Sequence, residues 1–232
     1  MLEQDKLAEA AALFREALSL GVPSAKATLM GEALSQLPEL FYRMGKFADA
    51  EVIYRETYEH RRKHLTADAE ELILGKASLA RCLSDWAWSE RGAGLEEGIQ
   101  SSAKAERARE AVSLLRECLA IRQRGSRAGH WRTPDVQSRL GGALVVVAAT
   151  DPESSGEARR LTLTEAESLL LKGHEAMEQN TVAPKYLRDS LIRLVRLYEA
   201  WDQPEKATVW QRKLDAFEQS TPEPPQGHRE GK

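Results

Sequence analysis

The sequence has little of what most chemistries require. Only two cysteines occur in its 232 residues, Cys82 and Cys118, and both lie inside apolar helical spacing, which fits buried free thiols rather than a disulfide. No apolar run approaches the roughly 18 residues of a membrane-spanning helix; the longest is Ala143–Ala149. The amino terminus lacks a basic region followed by an apolar stretch and a small-residue cleavage site, so a soluble cytoplasmic protein is expected. β-branched residues rarely alternate with polar ones, and Val145–Val147 sits inside a longer helical pattern, so strands are not expected. Neither sign of charge dominates: charged residues make up 30% with a net charge of -3. That balance argues against nucleic acid and against a basic membrane patch.

Catalytic motifs are missing as well. A kinase needs a glycine-rich phosphate loop, a strand lysine, a His-Arg-Asp type loop and a metal-binding Asp-Phe-Gly, and none occurs. Gly141-Gly142 has no strand before it and reads as close helix packing rather than a phosphate cradle. Tyr186-Leu187-Arg188-Asp189 has only a surface likeness to a catalytic loop, and it opens a helix. His60 and His64 share a helix face at spacing four. The glutamate of a zinc-protease helix is missing between them, however, and Arg61, Arg62 and Lys63 repel a divalent ion. A solvated basic helix end is the better account. No nucleophile turn or isolated carboxylate pair occurs, and Glu51 with Arg55 or Glu205 beside Lys206 read as surface pairs. No catalytic, cofactor or metal site is therefore expected.

What the chain does have is helical periodicity in pairs. In Ala33–Thr57, Leu34, Leu37 and Phe41 form one apolar stripe, Gly45 marks a turn, and Phe47, Ala50 and Tyr54 form a second stripe. A small residue at Ala50 lets two antiparallel helices approach while Phe41 and Tyr54 fill the space around it. Degenerate copies follow. Leu7, Ala10, Phe14 and Ala17 repeat the second-helix stripe; Gly21, Pro23 and Ser24 read as its stop and the next start. Leu79, Ala80 and Leu83 pair with Ala111, Leu115 and Cys118 across a loop read at Arg91–Lys104, beyond Trp86 and Trp88. Leu140, Gly141 and Leu144, in a helix starting near Thr133-Pro134, pair with Ala166, Leu170 and Gly173 across a second loop read at Thr150–Leu161. Leu191, Leu194, Val195 and Tyr198 precede Trp201-Asp202, and Pro204, Ala207, Gln211 and Leu214 complete the last pair. That last helix, Pro204–Glu218, carries Glu205, Lys206, Arg212 and Lys213 on a polar outer face expected of a cap.

These residues resemble tetratricopeptide (TPR) repeats of the irregular, kinesin-light-chain-like bacterial kind. The segments Leu114–Arg124, Ser138–Val147, Ala166–Met177 and Leu194–Leu214 are also similar to the carboxy-terminal repeat region of planctomycete-type serine/threonine protein kinases. The resemblance implies an all-α fold, a TPR-like α-solenoid of antiparallel helix pairs over residues 1–219. It divides into a half repeat at 5–20 and repeats at about 31–64, 69–124, 133–180 and 188–218, with a disordered tail at 220–232 rich in Pro, Gly and charge.

A repeat fold of this kind implies a noncatalytic scaffold that binds a protein or peptide segment on the concave face of its first helices. In the register above the outward places on that face are Glu39, Tyr42, Arg43, Arg81, Ser84, Arg196 and Glu199. Arg43, Arg81 and Arg196 suggest a partner with acidic character. A chaperone-tail clamp would need Lys and Asn where Ser35, Glu39, Ala77, Arg81, Ser138 and Gly142 stand, so that ligand is disfavoured. Two other readings are a regulatory or carboxy-terminal part of a bacterial serine/threonine kinase system, and a self-associating module using Leu7, Leu13 and Phe14.

Overall fold

The computed structural model describes residues 12, 13, 16, 36–89, 97–124, 129–151, 153, 155–180 and 182–221, with 97–101 described by backbone alone. The expected half repeat at 5–20, apart from single residues, lies outside these, as do Leu34, the Gly21–Ser24 boundary and the tail from 222. Every described regular element is a helix. The helices gather into two compact units, Met1–Gly92 and Ala93–Lys232. The fold class is all-α, of the TPR-like kind with antiparallel helix pairs.

In the first unit, α1 (residues 36–43) is followed by α2 (Phe47–His64) and α3 (Glu70–Ser89). The turn between α1 and α2 is short because Gly45 takes a left-handed conformation, φ +72°. Its N–H donates to Tyr42 O at 3.0 Å, and Lys46 N–H donates to Phe41 O at 2.9 Å. This is the two-bond helix stop that favours glycine. The reversal brings Phe41, Ala50, Ile53 and Tyr54 together, all buried, with Ala50 fully inaccessible at the crossing. α3 packs antiparallel on α2 through Leu72, Ile73, Ala80 and Leu83.

The second unit contains α4 (Glu97–Arg122), α5 (Arg132–Thr150), α6 (Gly156–Glu178), α7 (Pro184–Ala200) and α8 (Pro204–Ser220). Its core is built from Ala108, Ala111, Leu115, Leu140, Leu144, Leu170, Leu194 and Leu197. α5 and α6 approach so closely that a methyl group on Gly141 would stand 2.7 Å from Leu170 Cγ and 3.0 Å from Ala166 O. Gly173 answers from the other helix, where the same addition would meet Pro134 O at 2.9 Å. The glycine pair is packing, not a cradle. The stop between α7 and α8 copies that between α1 and α2: Asp202 N–H bonds Glu199 O at 3.3 Å and Gln203 N–H bonds Tyr198 O at 2.9 Å. Here a non-glycine, Asp202, takes the left-handed conformation at φ +57°, which a short polar side chain tolerates.

Two loop expectations are corrected. The segment Arg91–Lys104 is not all loop, since α4 begins at Glu97. Gly98 and Ser101-Ser102 cost helix propensity, but Ala105 and Ala108 are buried immediately downstream and packing overrides a weak local preference. Likewise Thr150–Leu161 is not all loop, since α5 runs through Thr150 and α6 begins at Gly156. Arg159 fixes that first turn of α6 by donating from Nε to Ala148 O (2.9 Å) and from Nη2 to Ala200 O (2.5 Å), the carbonyl ends of α5 and α7.

Candidate interaction surfaces

In each unit the first helices of successive pairs lie side by side and parallel, and their facing side chains are joined by polar bonds. On α1 and α3 the centre is Arg81, whose Nη2 donates to the Glu39 carboxylate while its guanidinium lies over the Tyr42 ring, 4.0 Å from the centroid. Tyr42 hydroxyl donates to Asp85 Oδ2 at 2.6 Å, and Tyr54 hydroxyl, from α2, donates to Glu39 Oε2 at 3.1 Å. Burial by itself would raise the Glu39 pKa; the Arg81 charge, helped by Tyr54 and Arg43, outweighs it and holds the carboxyl below its ordinary value. Burial and the neighbouring Glu39 raise Tyr54, keeping it a neutral donor. Burial opposes the Arg81 charge, and the Glu39 and Asp85 carboxylates beside it outweigh that cost, so it stays charged. Its Nε is buried without a hydrogen bond.

This geometry sorts the residues assigned to the groove. Glu39, Tyr42 and Arg81 are brought together, but into a bond network between helices. Ser84, read as outward, is buried at 9% exposure, because α3 turns that edge toward the interior. Arg43 projects outward, its side chain 70% exposed, with a loose contact of 3.5 Å to Glu39. Arg196, half-buried, and Glu199, exposed, stand on α7 in the second unit.

Sequence reasoning passed over a matching network on α5 and α7. Arg139 Nε donates to Asp135 Oδ2 at 3.0 Å. Arg193 Nη1 donates to Ser138 Oγ at 3.2 Å and its Nη2 approaches Asp189 at 3.9 Å. Arg193 can lie there because Gly142 has no side chain: a methyl at that position would stand 2.7 Å from Arg193 Cδ. The signal was the spacing Asp-x-x-x-Arg, present at both 135–139 and 189–193.

A second feature lies where α5 and α7 begin. Trp131 packs against Tyr186 with ring centroids 4.8 Å apart, and His130 stacks on Trp131 at 5.7 Å. The Arg132 guanidinium lies 4.9 Å from the Trp131 centroid and Lys185 Nζ lies 5.0 Å from that of Tyr186. The start of α5 is held by His130, whose Nδ1 accepts the Arg132 N–H at 3.2 Å, and α7 opens on Pro184 behind its N-cap Ala183. Near the end of α6 and the start of α7, buried His174 Nδ1 contacts Ser190 Oγ at 2.7 Å; that hydroxyl donates to Leu187 O, so the ring nitrogen is the donor.

His60 and His64 stand with ring centroids 5.0 Å apart on the last turns of α2. Among the described residues no group of three or more His, Cys, Asp or Glu side chains is placed to hold a metal. No described helix is long and apolar enough to cross a membrane.

The packing, the two-bond stops and the parallel first helices define an all-α protein of TPR-like helix pairs. Among solved structures the chain is similar to BtubC (BKLC) from P. vanneervenii, at a TM-score of 0.59 and 16% identity over 97% of this chain and 80% of that chain. It is also similar to a putative kinesin light chain of Podosopora anserina with nearly identical TPR-like repeats, 17% identical over 83% of this chain and 97% of that one, at a TM-score of 0.38. No protein-family model and no curated protein matches the chain.

Proposed function

We propose that the chain is a noncatalytic interaction module, acting in the cytoplasm, that binds an extended or helical segment of another protein on the faces of its first helices. The observation that carries this reading is the pre-ordered polar face in each unit: parallel first helices are tied side to side by Arg81 on Glu39 and by Arg193 on Ser138. A face whose side chains are already ordered loses less conformational entropy when a partner docks. The Arg81 charge is taken up by Glu39, so within the first unit Arg43 is the better candidate to meet a partner carboxylate, and within the second unit Arg196 is. The buried free thiols Cys82 and Cys118 fit a reducing compartment.

Affinity capture with identification of bound proteins by mass spectrometry tests the reading. Arg43→Glu and Arg196→Glu, each alone, should weaken retention of the main captured protein. Equal retention by the wild type and both variants would remove those faces from the binding site. Incubation of the isolated chain with ATP and protein substrates should give no phosphotransfer.

A further inference from the structure

The bonds between α1 and α3 fix how one helix corresponds to the other. Arg81 meets Glu39 across 42 residues, and Asp85 meets Tyr42 across 43. Leu40 therefore holds on α1 the place that Cys82 holds on α3, and Met44 holds the place of Trp86. On α3 this edge is covered by the second helix that precedes it in the chain. Cys82 is fully buried, and its thiol donates to Phe47 O, in the first turn of α2, at 3.6 Å. On α1 the same edge is bare: Leu40 is 46% exposed and Met44 43%. A helix of a repeat cannot bury its apolar edge alone, so this edge calls for an occupant of the α2 kind.

Such an occupant precedes α1 in the sequence. Leu7, Ala10, Phe14 and Ala17 repeat Phe47, Ala50, Tyr54 and Thr57 at a constant offset of 40 residues, and α2 buries Ala50, Tyr54 and Thr57. Leu7 thus corresponds to Phe47 as Leu40 corresponds to Cys82. Those four residues lie outside the described ones, but Ala12 and Glu16, on the opposite side of the same helical period, are helical and exposed. Gly21, Pro23 and Ser24 supply the stop and start that an antiparallel return needs.

We propose that residues 6–18 dock on the Leu40–Met44 edge of α1 of their own chain, antiparallel to it, as α2 docks on α3. The chain's own segment is favoured over a second copy because its tether holds it near α1 at an effective concentration of about millimolar. Docked in this way, Leu7 and Phe14 are spent within the chain, and the amino-terminal edge is closed to self-association.

The test is hydrogen exchange of the full chain read by mass spectrometry, at a concentration where sedimentation shows monomer. Amides of residues 6–18 should exchange at least about tenfold more slowly than in a free peptide of that sequence. L40E/M44E should abolish this protection while α2 and α3 keep theirs. L161E, which charges an exposed leucine on α6, should leave it unchanged. Hydrogen peroxide gives the reciprocal reading: Met44 should be oxidised at least about threefold faster in L7E/F14E than in the wild type. Absence of protection in the wild type, or protection that survives L40E/M44E, overturns the inference. Protection confined to concentrations at which the chain dimerises assigns the edge to a second copy and overturns docking within the chain. If L40E/M44E also unfolds α2 and α3, Met44 decides: an oxidation rate unchanged in L7E/F14E overturns the inference. The interaction-module reading, which concerns the faces bearing Arg43 and Arg196, stands in every case.

Discussion

Adjacent glycines in α5 answer to opposite surroundings. Alanine at Gly141 would drive its methyl against Leu170 and the backbone oxygen of Ala166, neither of which can retreat without separating α5 from α6. Alanine at Gly142 would meet only the stem of Arg193, which can swing. Alanine gains about 1 kcal/mol over glycine in a helix, while overpacking costs about 1–3 kcal/mol. Gly141→Ala should therefore lower stability, whereas Gly142→Ala, where the helix gain is offset by the Ser138 bond that Arg193 gives up as its stem swings, should change it little, as chemical denaturation will read. Cys82 offers a second check: burial, opposed by Arg81, pushes its thiol pKa up to about 12. It should react with thiol reagents at mildly alkaline pH only as fast as the protein opens, and at once in denaturant. Phe41, Ala50 and Tyr54 were legible as packing residues because period and side-chain size suffice to identify them. Arg139 and Arg193 were not, because an acid four residues before an arginine looks the same on a solvated face as beside a neighbouring helix.

Between elements, one arginine closes two helices. Arg159→Met keeps the apolar stem and removes the donors to Ala148 O and Ala200 O, so it should cost about 1.5–3 kcal/mol, the range for hydrogen bonds to charged groups. A loss below a few tenths in urea denaturation would contradict the clamp. The α6–α7–α8 junction predicts a pH dependence. His174 is held below its ordinary pKa of 6.5, chiefly by burial and also by Lys213, against the pull of Glu178. Ser190 from α7 and the Trp210 edge from α8, at 5.4 Å, complete its surroundings. The unfolded chain thus binds the proton more readily than the folded one. Stability from this site is complete above pH 6.5 and is lost as pH falls below it toward the folded pKa. Denaturation midpoints in weakly acidic buffer should drop more for the wild type than for His174→Gln. The helices themselves were legible, but their starts at Glu97 and Gly156 were not. Gly98 and Gly156 are ordinary turn signals, and only the burial of Ala105 or the reach of Arg159 overrules them.

Within each unit, among the described residues, the main helix contacts run between helices that are neighbours, or next neighbours, in sequence. Such local topology folds in microseconds to milliseconds. Stopped-flow refolding should show its main phase in that range, and a main phase of seconds would argue for a different topology. Net charge, read over the whole chain, reveals nothing about how charge is distributed over its helices. Aromatic residues far apart in sequence, Trp131 and Tyr186, also gave no joint signal until two parallel helices set them together.

The spacing of the interhelix bonds has one more consequence. First helices meet across 42 residues at Arg81–Glu39 and across 55 at Arg193–Ser138, while second helices meet across 49 at Arg116–Glu165 and across 39 at Lys206–Glu167. The chain keeps its crossing points and lets the number of residues between them vary. Length can thus be gained or lost at the rims without disturbing the joints.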